Sequence, residues 1–369
     1  MTARRPIVMG IVGDSAAGKT TLTSGIARIL GADRVTRVCT DDYHKFDRTE
    51  RARLGITPLH PDCNYMDIME LQMERLHYGQ PILKPVYDHT NGTLVRPEYV
   101  VPREFVIVEG LLGFHSPVLR QFIDVKVYLD PPEEVRRVWK VRRDTAKRGY
   151  TDEQVVADLI KREPDSAAFI RPQRDCADIV VRFQPPAGSA ASAPDARYDV
   201  RMVLRPTIEH PDLGYLVDGS QHRDDSVRLE LGRDGGRPAD FLHINNEVSP
   251  AQAVALENAI WQHLPGLRPL AANDFGTYQN GTETRHSDHL ALTQLLLAYH
   301  LLRRASAPGL MFAAPVAALQ RTTAQRGGTP PEGATTPTPG SFGDGRTAAD
   351  RDVEGVDEPP LATTAPARG

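Results

Sequence analysis

The eight residues Gly13-Asp14-Ser15-Ala16-Ala17-Gly18-Lys19-Thr20 fit the phosphate-binding pattern G-x-x-x-x-G-K-[ST] in full. The apolar run Ile7-Val8-Met9-Gly10-Ile11-Val12 precedes them, and Leu22, Ile26, Ile29 and Leu30 follow at helical spacing. Strand, glycine loop, helix is the order that gives the motif a mechanism. Glycines let backbone N–H groups turn into a concave nest, and the new helix adds the positive end of its dipole. Residues 13–20, with Thr21 behind them, are therefore expected to hold nucleotide phosphates. Lys19 would reach the β- and γ-phosphates, and the Thr20 hydroxyl would ligate Mg2+.

Residues 6 to about 185 go on alternating strand-like and helix-like segments, the pattern of an α/β sheet with helices on its faces. Strands are expected at 35–39, 104–110 and 125–130. A helix is expected from Pro132 to Gly149, opening with Glu133 and Glu134 and closing with Lys147 and Arg148 as the macrodipole favours. This predicts a mostly parallel sheet in a kinase-type phosphate-loop domain over 1–183. A linker rich in Pro and Ala is expected over 184–197. A C-terminal α+β region over 198–305 would complete the protein, with strands at 201–205, 227–231 and 239–244 and helices at 250–264 and 287–304. Residues 306–369 carry few large apolar side chains and read as a mostly disordered tail.

Composition narrows the partners. A formal net charge of -4 argues against a protein that binds nucleic acid by neutralising its phosphates. No segment approaches the roughly 20 apolar residues of a membrane span. Three cysteines (Cys39, Cys63 and Cys176) show no metal-ligand spacing, which suits reduced thiols in the cytoplasm.

Two acids fall at the ends of predicted strands, where open α/β sheets bind ligands. Glu109 closes an apolar strand and is placed to hold Mg2+ beside the phosphate loop. Asp41, in Asp41-Asp42-Tyr43-His44, is a candidate base for an acceptor hydroxyl. Arg142-Arg143-Asp144 with Lys147-Arg148 puts four cations into seven residues. That cluster could neutralise a transferring phosphoryl group or bind a phosphorylated substrate, or it could be a solvated helix end. The stretch Pro85 to Gly92, with Tyr87 and His89, reads on its own only as a polar turn, and Arg48 alone is silent.

In this order, however, the residues resemble the phosphoribulokinase and uridine kinase family. The resemblance rests on Gly-Asp-Ser-x-x-Gly-Lys-Thr at 13–20, Asp-Asp-Tyr-His at 41–44 with Arg48, and Lys-Pro-Val-Tyr-Asp-His at 84–89. It continues through Val-Glu-Gly-Leu at 108–111, Arg-Arg-Asp-x-x-x-Arg-Gly at 142–149, and Asp-x-x-Ala-Phe-Ile-Arg-Pro-Gln at 165–173. It covers residues 6–183 closely and runs on more weakly to about 304. The motifs at 41–44 and 171–173 resemble the phosphoribulokinase branch more than the uridine kinases.

The resemblance implies an enzyme that uses ATP and Mg2+ to phosphorylate the C1 hydroxyl of ribulose 5-phosphate, a Calvin-cycle reaction. It implies Asp41 as catalytic base, Lys19 and Arg143 as catalytic cations, Asp144 as a second functional acid, and Thr20 and Glu109 as the metal site. His44, Arg48, Arg143 and Arg148 would contact the sugar phosphate, with Tyr87 and His89 beside them. A homo-oligomer is implied. Plant and cyanobacterial members carry a redox-switch cysteine just before the second loop glycine; here that residue is Ala17, so no such disulfide is expected. A nucleoside or other small-metabolite kinase, and a nucleotide switch without catalysis, are the competing readings.

Overall fold

The computed structural model describes residues 5–191, 197–210, 227–262, 275–280 and 283–306. Strand β1 (Ile7–Gly13) is buried along its whole length. Ile7, Met9 and Ile11 enter one core and Val8 and Val12 the other, as the two-residue period of a strand requires. Gly10 belongs to the second side because a side chain there would collide with the Phe114 ring, 2.4 Å from the ideal Cβ position.

Four further strands lie parallel in the β1 sheet: β2 (Val35–Cys39), β5 (Phe105–Gly110), β6 (Val125–Leu129) and β7 (Ile179–Gln184), in the order β2-β5-β1-β6-β7. Three antiparallel strands, β8 (Asp199–Leu204), β9 (Val227–Asp234) and β10 (Arg237–Ile244), extend it as β7-β8-β10-β9. The region after residue 197 thus continues the same sheet, and β7 and β8 pair from Ile179–Leu204 to Gln184–Asp199. Residues 185–191 of the expected linker carry no strand or helix, and 192–196 lie outside the described residues. The expected tail beyond Ser306 lies outside them too.

Helices cover both faces. Helix α1 (Lys19–Leu30) follows the glycine loop, and α2 (Arg48–Leu54) is opened by a reciprocal cap between Asp47 and Glu50. On one face lie α1, α7 (Pro250–Gln262) and α8 (Asp288–Ser306). On the other lie α3 (Met66–His77) and α4 (Pro117–Gln121). Helices α5 (Glu133–Arg148) and α6 (Asp152–Asp165) form an arm, joined through Gly149 in the left-handed conformation. Among the described residues no helix is long and apolar enough to cross a membrane.

The structure departs from the sequence reading at 82–100. The expected polar turn is the middle of a hairpin, β3 (Ile82–Asp88) and β4 (Thr93–Val100), closed at Gly92 with φ +73°. Asn91-Gly92 between β-branched and aromatic residues is a strong hairpin signal, and Pro85, which sits at a bulge between Lys84 and Val86, had masked it.

The contact between α1 and α8 holds the helix that carries Lys19 and Thr20. Gln294, fully buried, donates from Nε2 to the Thr21 carbonyl (2.9 Å) and accepts from Gly276 N–H (2.8 Å). Its amide fills the space a side chain at Gly25 would need, 2.0 Å from the ideal Cβ. Gly25→Ala should therefore destabilise the fold by about 1–3 kcal/mol despite alanine's better helix propensity. Urea denaturation measures this; a stabilised variant would contradict the close packing.

Candidate active site

The site lies at the carboxyl edge of β2, β5 and β1. Gly13 ends β1 where a Cβ would stand 2.7 Å from the Leu129 carbonyl oxygen. Ala16 (φ +62°) and Gly18 (φ +95°) both take positive φ, which bends the loop into a cradle. Helix α1 begins at Lys19 without a side-chain cap, so its first N–H groups face the cradle rather than a capping oxygen. The Lys19 ammonium donates to the Gly13 and Asp14 carbonyls, both at 2.9 Å, and so spans the loop mouth. This donor set fits a phosphate chain.

Glu109 is 3 % exposed beside the loop, in register with Ile11 on β1 and Cys39 on β2. Its carboxylate accepts from Thr23 Oγ1 (3.0 Å) and Arg37 (3.2 Å). Oxygen ligands of this kind, with the Thr20 hydroxyl, suit a hard divalent cation. The described residues contain no cluster of three or more His, Cys, Asp or Glu that could hold a metal ion.

Residues 40–43 form a tight turn directly after β2 and send two adjacent acids opposite ways. Asp41 is partly exposed at the sheet edge, where its Oδ1 accepts the Leu111 N–H at 3.1 Å. Gly110 is glycine because a Cβ there would strike Thr40 Oγ1 at 1.8 Å and crowd Asp41 at 2.9 Å. Asp42 is buried and points inward to pair with the buried Lys84 ammonium and to accept the Tyr87 N–H (3.2 Å). Asp42 therefore fastens the β3–β4 hairpin to the end of β2.

That fastening gathers the expected acceptor residues. The His44 ring meets Tyr87 edge-on (centroids 4.9 Å), and Tyr87 meets His89 likewise (4.8 Å). His44 Nδ1 is 2.8 Å from Asn64 Oδ1, which sets the orientation of the imidazole. Arg48 reaches the hairpin turn, donating to the His89 carbonyl (2.8 Å), and its side chain fills the space beside Gly92. Tyr87 is only 3 % exposed and forms a wall: Arg51 lies 4.7 Å over its ring and donates to its hydroxyl.

On the arm, Asp144 is 2 % exposed and is clasped by Arg143 Nε (2.8 Å) and the buried Lys140 ammonium (3.2 Å). Lys140 also faces Asp158 of α6 at 3.4 Å, and Asp158 accepts from Arg162. Arg143 is thus held by an acid on its own helix, with its side chain partly exposed. The Arg148 side chain lies outside the described residues.

Sequence reasoning missed Asp42, Lys84, Arg51, Asn64 and Lys140. Lys84 and Lys140 carried one available signal: each sits in a segment whose pattern buries it, and a buried lysine requires an acid. Replacing Asp42 by Ala should cost about 3–5 kcal/mol, because Lys84 is left buried without its carboxylate. Asp42→Ala/Lys84→Met should recover much of that loss in urea denaturation; a single variant as stable as the parent would contradict the fastening.

The profile described as the Phosphoribulokinase / Uridine kinase family matches residues 8–187. A phosphoribulokinase of Synechocystis is 41% identical over 214 residues, covering 58% of this chain and 64% of that protein. The chloroplastic phosphoribulokinase of Triticum aestivum is 32% identical, covering 58% of this chain and 57% of that one. The chain thus aligns with less than two thirds of the length of these relatives. A uridine kinase of Chloroflexus aggregans is 34% identical over 183 residues, covering 47% of this chain and 86% of that enzyme. In fold, a phosphoribulokinase from Rhodobacter spheroides superposes with a TM-score of 0.50 at 20% identity, over 70% of this chain and 97% of that one. The glycine cradle, the strand-end acids and these matches agree that the chain belongs to the phosphoribulokinase and uridine kinase family.

Proposed function

We propose that this chain transfers the γ-phosphoryl group of ATP to the C1 hydroxyl of ribulose 5-phosphate, giving ribulose 1,5-bisphosphate and ADP. One observation carries the reading: His44, which directly follows the turn bearing Asp41, comes together with His89 (ring centroids 6.3 Å) and, through the His89 carbonyl, with Arg48, at the hairpin that the Asp42–Lys84 pair fastens. An acceptor that already bears a phosphate needs such a basic wall, whereas a neutral nucleoside does not. The 41% identity to a phosphoribulokinase, against 34% to a uridine kinase, supports the same choice.

In this mechanism the loop N–H groups and Lys19 hold the β- and γ-phosphates, with Thr21 behind them. Thr20 and Glu109 would hold Mg2+, which supplies neutralisation of phosphate charge. Asp41 accepts the proton of the acceptor hydroxyl, and its bond to Leu111 N–H fixes the carboxylate for that task. Arg143, held in place by Asp144, offsets charge on the transferring group, and Arg148 assists it. His44, Arg48 and His89 retain the phosphate end of the acceptor. Positioning and electrostatics carry the rate in such transfers. We infer a cytoplasmic homo-oligomer.

Asp41→Asn should lower kcat with ribulose 5-phosphate by about 10^2–10^4-fold while ADP affinity stays within about twofold. Arg48→Ala should raise KM for ribulose 5-phosphate by about 10–100-fold with a smaller change in kcat. Coupled ADP-release kinetics and calorimetric ADP titration check both. Full turnover in Asp41→Asn would overturn the assignment of the base.

A further inference from the structure

Asp14 is an odd residue to find in a loop built for anions. A carboxylate beside bound phosphates repels them unless its charge is turned away and compensated. Both conditions are met from the arm. The Asp14 side chain is 10% exposed; one oxygen takes the Ser166 hydroxyl, at the junction where α6 ends, and the other lies 3.6 Å from the Arg136 guanidinium of α5. Arg136 also donates to the Ser15 carbonyl at 3.3 Å and is held by Glu133 at 2.7 Å. Ser166 is 1 % exposed.

Next to Ser166, Asp165 accepts from Thr57 (2.6 Å), beyond α2. The chain there passes from α6, which contains Pro164, into a wider turn of π type over Ser166–Ile170. Such turns interrupt a helix where a side chain must be aimed. The arm is thus attached to the phosphate loop at both of its ends, Arg136 at the start of α5 and Ser166 at the end of α6. The two turns between Arg136 and Arg143 put Lys140 and Arg143 on the same side of α5 as Arg136.

We propose that Asp14 is a positioning residue: its carboxylate, shared by Ser166 and Arg136, latches the α5–α6 arm onto the phosphate loop, so that nucleotide in the loop and arm cations over its phosphates are set together. The proposal rests on the use of ATP at this loop and not on the identity of the acceptor.

Trp139 on α5 gives a direct readout, because its ring lies 3.6 Å from where a Gly18 Cβ would be. Trp261 is the other of two tryptophans, and Trp261→Phe isolates the signal. In that background, ADP should change Trp139 emission. Asp14→Asn and Ser166→Ala should each abolish most of this change and lower kcat about tenfold, while calorimetric ADP affinity stays within about threefold. The double variant should be no worse than the poorer single one, since both remove one latch.

An undiminished Trp139 response in the variants, a parent whose emission ignores ADP, additive losses in the double variant, or ADP affinity lost in step with kcat would each overturn the latch. Absence of ribulose 5-phosphate turnover in the parent, with the emission changes intact, would instead overturn the acceptor assignment.

Discussion

The whole site hangs from the place where β1 runs out. With β5 on one side and β6 on the other, β1 ends at Gly13, where a side chain would strike the Leu129 carbonyl oxygen. The chain must turn, and only small or positive-φ residues can make that turn tightly enough to leave a cradle. Everything that touches the cradle is then fixed by strand order. β5, parallel to β1 and beside it, delivers Glu109, and β2, parallel on the far side of β5, leads into the turn that carries Asp41. A different strand order would place the same residues along the wrong edge.

Chemistry and architecture are divided residue by residue around that edge. Asp41 and Asp42 are neighbours, yet one stays at the surface of the cleft while the other disappears into a buried ion pair. Asp144 follows the same logic on the arm. It is a buried acid that holds two cations, Lys140 and Arg143. Buried pairs of this type contribute little net stability compared with apolar packing, but they fix where long side chains end. For a reaction that depends on placing charge, that is the useful property.

The phosphate loop, the parallel strands and the strand-end acids were legible in the sequence because each depends on local pattern: apolar runs, glycine spacing, an acid at a run's end. The hairpin at 82–100 was not, since Pro85 interrupts its alternation and Leu94, Val95 and Tyr99 of β4 are exposed. The roles of Asp42, Lys140 and Ser166 depend on partners far along the chain, Lys84 for the first and Asp158 and Asp14 for the others. Long-range pairing of that kind leaves no local signal. The resemblance at 84–89 and 142–149 marked these segments as important without saying how they fold.

The most direct test of the account is acceptor-dependent ADP release by the purified chain with ATP and Mg2+, comparing ribulose 5-phosphate, unphosphorylated ribulose, uridine and no acceptor. The basic wall of His44, Arg48 and His89 predicts rapid turnover with ribulose 5-phosphate alone. Equal turnover with ribulose, or preference for uridine, would contradict it.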